Sequence, residues 1–163
     1  MKTLLSLIGL ILLPTLAFSV QNNKKGPTTA LDTASIEQLT GAKGKLDEKE
    51  GVFKVSLPRS DLAISTAGAR MTPPMGLTCW AAFKRTGRET MVMGDTALAE
   101  DQVNPVMSVA LDNGLEVTAL HNHFFWDSPK VMFMHIGGSG DLPPSFRPWR
   151  LRVFGLVSSL APH

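Results

Sequence analysis

The sequence predicts an α+β domain, with an antiparallel or mixed sheet and one main helix and a short N-terminal helix packed on it. Three observations predict it. From Val52 the apolar residues recur with period two, loosely in Val52 to Leu57 and more regularly in Leu62 to Thr66. Between Glu100 and Asp112 the period changes, and Val103, Val106, Met107, Ala110 and Leu111 form one stripe at i, i+3, i+4, i+7 and i+8. Strand-like sequence then resumes in Leu115 to Leu120 and Val131 to Ile136.

Residues 1–19 stand apart from this domain. Met1-Lys2 is a short positive start, Leu4 to Leu16 is an apolar run, and Ala17-Phe18-Ser19 puts small residues at −3 and −1. This is the pattern of a secretory signal peptide cleaved after Ser19. The run is short for a membrane span of about 20 residues, and no cysteine stands near the cut for acylation. The expectation is an exported chain, periplasmic or extracellular, with no stable membrane anchor after cleavage. The single cysteine, Cys79, excludes an intrachain disulfide, so packing alone must hold the fold. A formal charge of +2 argues against a nucleic-acid surface.

The elements follow in order. Residues 20–31 are polar and read as a flexible leader. The domain proper is expected over 32–141. A short helix is predicted from Thr33 to Thr40, capped by Asp32 or Thr33, buried through Ile36 and Leu39, and stopped by Gly41. The charged run Lys43 to Gly51 reads as a solvated turn. Val52 to Leu57 and Leu62 to Thr66 are strands about a turn at Pro58 to Asp61, where Arg59 and Asp61 pair or cap. Gly76 to Phe83 and Thr90 to Met93 continue an antiparallel meander. The main helix carries Glu100 and Asp101 at its positive end, Pro105 in its first turn and the Asn113-Gly114 stop. Residues 142–163 form an atypical basic tail with Arg147, Arg150, Arg152, four prolines and no acid. It reads either as a partly disordered terminus or as the product of a lost coding frame.

Three of the four histidines lie between His121 and His135. His121 and His123, at i and i+2, share a strand face. In an antiparallel hairpin His121 faces Phe133 and His135 faces Ala119, which brings all three imidazoles to one side. A one-residue slip would send His135 away. His121, His123 and His135 are therefore the candidate ligands for zinc or another divalent transition metal. Asp127 and Asp95 are the candidate catalytic carboxylates; Glu116 would face away in a regular strand. Three ligands and an open position suit hydrolytic chemistry on a small polar substrate. The alternative is a non-catalytic envelope binding module with structural histidines, whose aromatic loop Phe124-Phe125-Trp126 meets a small ligand or envelope component.

Other groups carry weaker signals. Met91, Met93, Met132 and Met134 make two Met-x-Met pairs, which suit Cu(I) but are expected to pack in the core. Cys79 sits in a core-like strand and reads as a small buried hydrophobe rather than a nucleophile. Gly137 to Gly140 reads as a turn ending a strand.

A family resemblance rests on longer stretches. These are Lys54 to Asp61, Gly76 to Phe83, Val92-Met93-Gly94-Asp95, Gln102 to Met107, Asn113 to His123 and Met132 to Gly138. Across Val52 to Asp141 the chain resembles the LppY/LpqO-like bacterial proteins, a domain of unknown function. The resemblance implies export and no stated activity. It also implies a helix after the Gly140-Asp141 turn, where this sequence departs.

Overall fold

The computed structural model describes residues 30–140; the expected signal peptide, most of the expected leader, and residues 141–163, with the expected tail at 142–163, lie outside the described residues. The first element is the helix α1, Thr33–Thr40, which ends as its sequence dictates. Asp32 accepts from the Ser35 amide at its start, and Gly41 closes it in the left-handed region at φ 70°. Ile36 is its buried anchor.

The strands are β1 Gly44–Asp47, β2 Val52–Pro58, β3 Ser65–Thr66, β4 Ala69–Arg70, β5 Thr78–Thr86, β6 Glu89–Ala99, β7 Glu116–His121, β8 Asp127–Ser128 and β9 Val131–Gly140. Between β6 and β7 a 3₁₀ turn, Glu100–Gln102, runs into the helix α2, Val103–Asp112. Six strands form one sheet in the order β1-β2-β5-β6-β9-β7, and β4-β3-β8 form a second. Every pairing is antiparallel.

The α+β expectation is therefore corrected: the domain is mostly β, with 48% of the described residues in strand and 22% in helix. The physical reasons are local. Lys43 to Gly51 is not all turn, because Gly44–Asp47 pairs with Val52–Val55. The close approach needs Gly44, since a Cβ there would run into the Phe53 ring. β6 extends past Met93 to Ala99, where Asp95, Thr96, Ala97 and Leu98 are all buried and alternation is lost. Gly137 to Gly140 is not a turn but the end of β9, registered against Thr90 to Met93. Conversely, Leu62 and Ile64 are buried without being strand; only Ser65–Thr66 pairs, and it does so in the second sheet.

One face of the large sheet is covered. Val55, Ala81, Phe83, Val92, Leu98, Met134 and Ile136 are buried with Val106 and Ala110 of α2. Leu111, the last member of the predicted stripe, is 54% exposed. Alternation along the paired strands turns Lys54, Trp80, Met91, Met93, Asp95 and His135 to the opposite face. That face holds the site.

The two ends of the fold are tied by Arg59, which is 2% exposed. Its Nε and Nη2 donate to the two Asp61 carboxylate oxygens at 2.8 and 2.7 Å. Nη1 donates to the Ala97 carbonyl of β6, and Nη2 also to Gln102 Oε1 at 3.1 Å. Gln102 Oε1 in turn accepts from the Ala99 amide. Thus the turn after β2 grips the end of β6 and the entry to α2.

Removing this guanidinium strands a carboxylate and two further acceptors. Arg59→Met should lower the unfolding free energy by about 3 kcal/mol, nearer the low end of the buried-pair range because Asp61 is a quarter exposed. Lys43→Ala, which removes an exposed pair with Glu37, should barely move the urea midpoint. Equal losses in the two variants would overturn the assignment of Arg59 as the tie. The hydrogen bonds from Arg59 hold the Asp61 carboxyl below its usual 3.8, against a smaller opposing effect of burial. A depressed folded value means that the stabilisation is complete above the unfolded value and is lost as pH falls through the folded one. The stability advantage of the wild type over Asp61→Asn should accordingly be constant well above pH 3.8 and shrink below it, as acid unfolding titrations would record.

Candidate functional site

The site is assembled by register. In the β7–β9 pair His121 lies opposite Phe133 and Ala119 opposite His135, as the hairpin alignment predicts. His123 follows the end of β7, and its ring lies flat on Phe133, with centroids 3.5 Å apart and planes within 6°. The His121 ring sits 5.0 Å from that of His123 and 4.8 Å from that of His135. His121 is therefore the neighbour of both other imidazoles. Burial against its neighbours lowers the His123 pKa below the usual 6.5, and the nearby His121 and His135 push it the same way against Asp95. That favours the neutral ring, the form that binds metals.

Asp95 completes the cluster. It lies directly across from His135 on β6, with Oδ2 3.7 Å from Nε2. That is too far for a hydrogen bond. Its Oδ1 is buried and has no hydrogen-bond partner, in a residue only 9% exposed. A buried acceptor left unpaired costs on the order of 1–3 kcal/mol. Trp80 stands on the other side of Asp95 in the same cross-strand row, with the Lys54 ammonium 4.2 Å over its ring.

Both carboxylate oxygens of Asp127 are already engaged within its own loop. Its Oδ1 pairs with Lys130 at 2.7 Å and its Oδ2 accepts from the Val131 amide at 2.9 Å. Burial works to raise this carboxyl, and the Lys130 and Val131 contacts outweigh it, so its pKa lies below the usual value. Asp127 is an anchor for the loop. Glu116 departs from the expectation in the other direction. A register shift between Val117 and Ala119 puts a bulge at Thr118 and reverses the strand's parity. Glu116 then pairs with Gly137, on the face that carries His135. Period-two reasoning on the sequence has no signal for such a bulge.

The methionines divide. Met134 is fully buried, as a core residue should be, and Met132 is partly buried against the same cluster. Met91 and Met93 are 42% and 56% exposed, so the core expectation is corrected for that pair. On β9, Met93 is paired with Gly137 and Met91 with Ser139.

No three His, Cys, Asp or Glu side chains among the described residues are arranged to hold a metal ion as they stand. The rings are gathered, but their donor atoms are not closed round one point. Ring spacing is nevertheless commensurate with metal binding: two imidazoles on one tetrahedral ion hold their centroids roughly 5 Å apart.

Cys79 is buried beside Ala97, whose amide donates to Sγ at 3.3 Å. Burial pushes the thiol up to about 11, so the thiolate is scarce at neutral pH. A thiol-labelling reagent at pH 7 should leave the folded chain unmodified and react once the chain is unfolded in urea; rapid labelling of the folded chain would restore Cys79 as a candidate nucleophile.

A family model described as Domain of Unknown Function (DUF1259) matches residues 34–144, more than half of the chain. No curated protein and no solved structure matches it.

Proposed function

The chain belongs to the DUF1259 family, which is described by its domain and not by an activity, and on that premise we propose that it is an exported domain with a transition-metal site at His121, His123 and His135. Within the family we read it as LppY/LpqO-like, from the ordered matches between Val52 and Asp141. The observation that carries the proposal is Asp95: a buried carboxylate oxygen without a partner beside three clustered imidazoles. A cation among these rings would compensate that carboxylate.

Zinc or a related divalent ion held by His121, His123 and His135 would act as a Lewis acid that activates water near neutral pH. The residues then have distinct tasks. His121 and His135 approach from two strands, and His123 is oriented by its stack on Phe133. Asp95, across from His135, is the general base within reach of the centre. Asp127 drops out of the catalytic set. The His121 ring already stands about 5 Å from each of the other two. The reaction this equips is hydrolysis of a small polar substrate on the open face of the sheet.

A second reading is favoured by one observation. Phe125 and Trp126 are 86% and 77% exposed, while Phe124 beside them packs toward Phe133 and Asp127 is buried. Such a tip suits an envelope binding module with structural histidines.

Elemental analysis of the purified chain distinguishes them. About one equivalent of zinc or another transition metal is expected, and it should be lost from a His121→Ala/His123→Ala variant that retains its circular dichroism spectrum. No metal in the wild type after loading with zinc, copper and manganese would overturn the metal site and leave the binding module.

A further inference from the structure

Met91 and Met93 expose two thioethers on the face that carries the histidines, where a core role no longer explains them. From this pair we propose that Met93 and His135 form a soft-metal subsite for monovalent copper, with Met91 as an outer thioether on the approach to it. The inference extends the histidine site of the previous section and shares His135 with it.

The geometry follows from register. Met93 pairs with Gly137, and His135 is the same-face residue two positions before Gly137 on β9. Diagonal neighbours of this kind lie about 7–8 Å apart at Cα, within reach of long side chains. Glycine at 137 leaves the space between them free of a side chain. A Cβ built there would meet the Thr118 methyl and the Val92 carbonyl at 3.9 Å, an ordinary contact distance, so Thr118 borders the gap on its far side. Asp95 lies two residues along β6 from Met93 on the same face, opposite His135 and with one carboxylate oxygen unpartnered. Met91 is two residues before Met93, again on that face and more than a third exposed.

The donor chemistry selects the ion. A thioether is neutral, soft and polarisable and binds Cu(I) in preference to hard or borderline divalent ions, whereas imidazole accepts both. The open face therefore grades from a thioether end at Met91 and Met93 to an all-imidazole end at His121 and His123. Divalent zinc belongs at the second end and Cu(I) at the first. Binding is a ligand addition without redox change, since the ion arrives already as Cu(I).

The test is an anaerobic titration of the purified chain with Cu(I) against a chromophoric Cu(I) chelator, run beside a zinc titration. Met93→Leu keeps the size and apolarity of the side chain and should leave the fold unchanged by circular dichroism. It should weaken Cu(I) by more than about tenfold, the least that loss of even an outer partner costs a metal site, and leave zinc affinity unchanged. Copper-edge X-ray absorption should show a sulfur scatterer in the wild type that is missing from Met93→Leu. Equal Cu(I) affinity in wild type and Met93→Leu, or a copper spectrum without sulfur, would overturn the proposal. Cu(I) binding that depends on Met93 in a chain that takes no zinc would support it while sinking the divalent site.

Discussion

The buried guanidinium of Arg59 is the constraint on which the rest of the structure leans. A charge taken out of water is tolerated only where its donors are matched, and here they are matched by Asp61, Ala97 and Gln102 from three separate parts of the chain. The contact to Ala97 has the widest consequence. Ala97 pairs with Phe133, Phe133 pairs with His121, and the His123 ring lies on Phe133. A side chain in the turn after β2 thus supports the strand end beneath the histidines without touching them.

The sheet is asymmetric, and the asymmetry creates the site. Its covered face is closed by α2 and its apolar partners, and Gly138 lies close under Leu115, which a Cβ would approach to 3.1 Å. The other face keeps polar and soft groups in rows across the strands. One row runs Ser56, Trp80, Asp95 and His135. Cross-strand pairing, not proximity in sequence, is what sets a carboxylate from residue 95 beside an imidazole from residue 135.

Much of this was legible in the sequence, and the failures have physical causes. The caps of α1 and the stop after α2 were read correctly because capping is local chemistry of one or two side chains. The histidine register was read because its hairpin partners lie close in sequence. Fold class was misjudged where a strand is buried on both faces or built of glycine, as in Ala97 and Gly137 to Gly140, since neither alternates. Arg59 looked like half of a turn ion pair, because its long-range acceptors are Ala97 and Gln102. Met91 and Met93 looked apolar and hence buried, whereas exposure depends on which face α2 covers. Asp127 sat in the right loop with both oxygens already engaged.

The placement of the histidines joins a fixed element to an adaptable one. His135 lies on β9, held by β6 on one side and β7 on the other. His121 lies on β7, which is the edge of the sheet and carries the bulge at Thr118. An inner strand cannot shift without breaking two ladders; an edge strand breaks one, and a bulge already weakens it. Any movement that closes the rings round an ion therefore belongs to β7 and the residues after it, while His135 and Asp95 stay as the template. The anchors beyond the loop act in the same sense. Asp127 fixes the return to β9 through Val131, and Asn122 holds the Phe124 carbonyl at 2.8 Å, so the freedom is confined to the segment between them. His123 is inside that segment, where its ring stacks on Phe133 and meets Phe124 edge-on. Of the three imidazoles it is the one that lies beyond the last paired residue of β7.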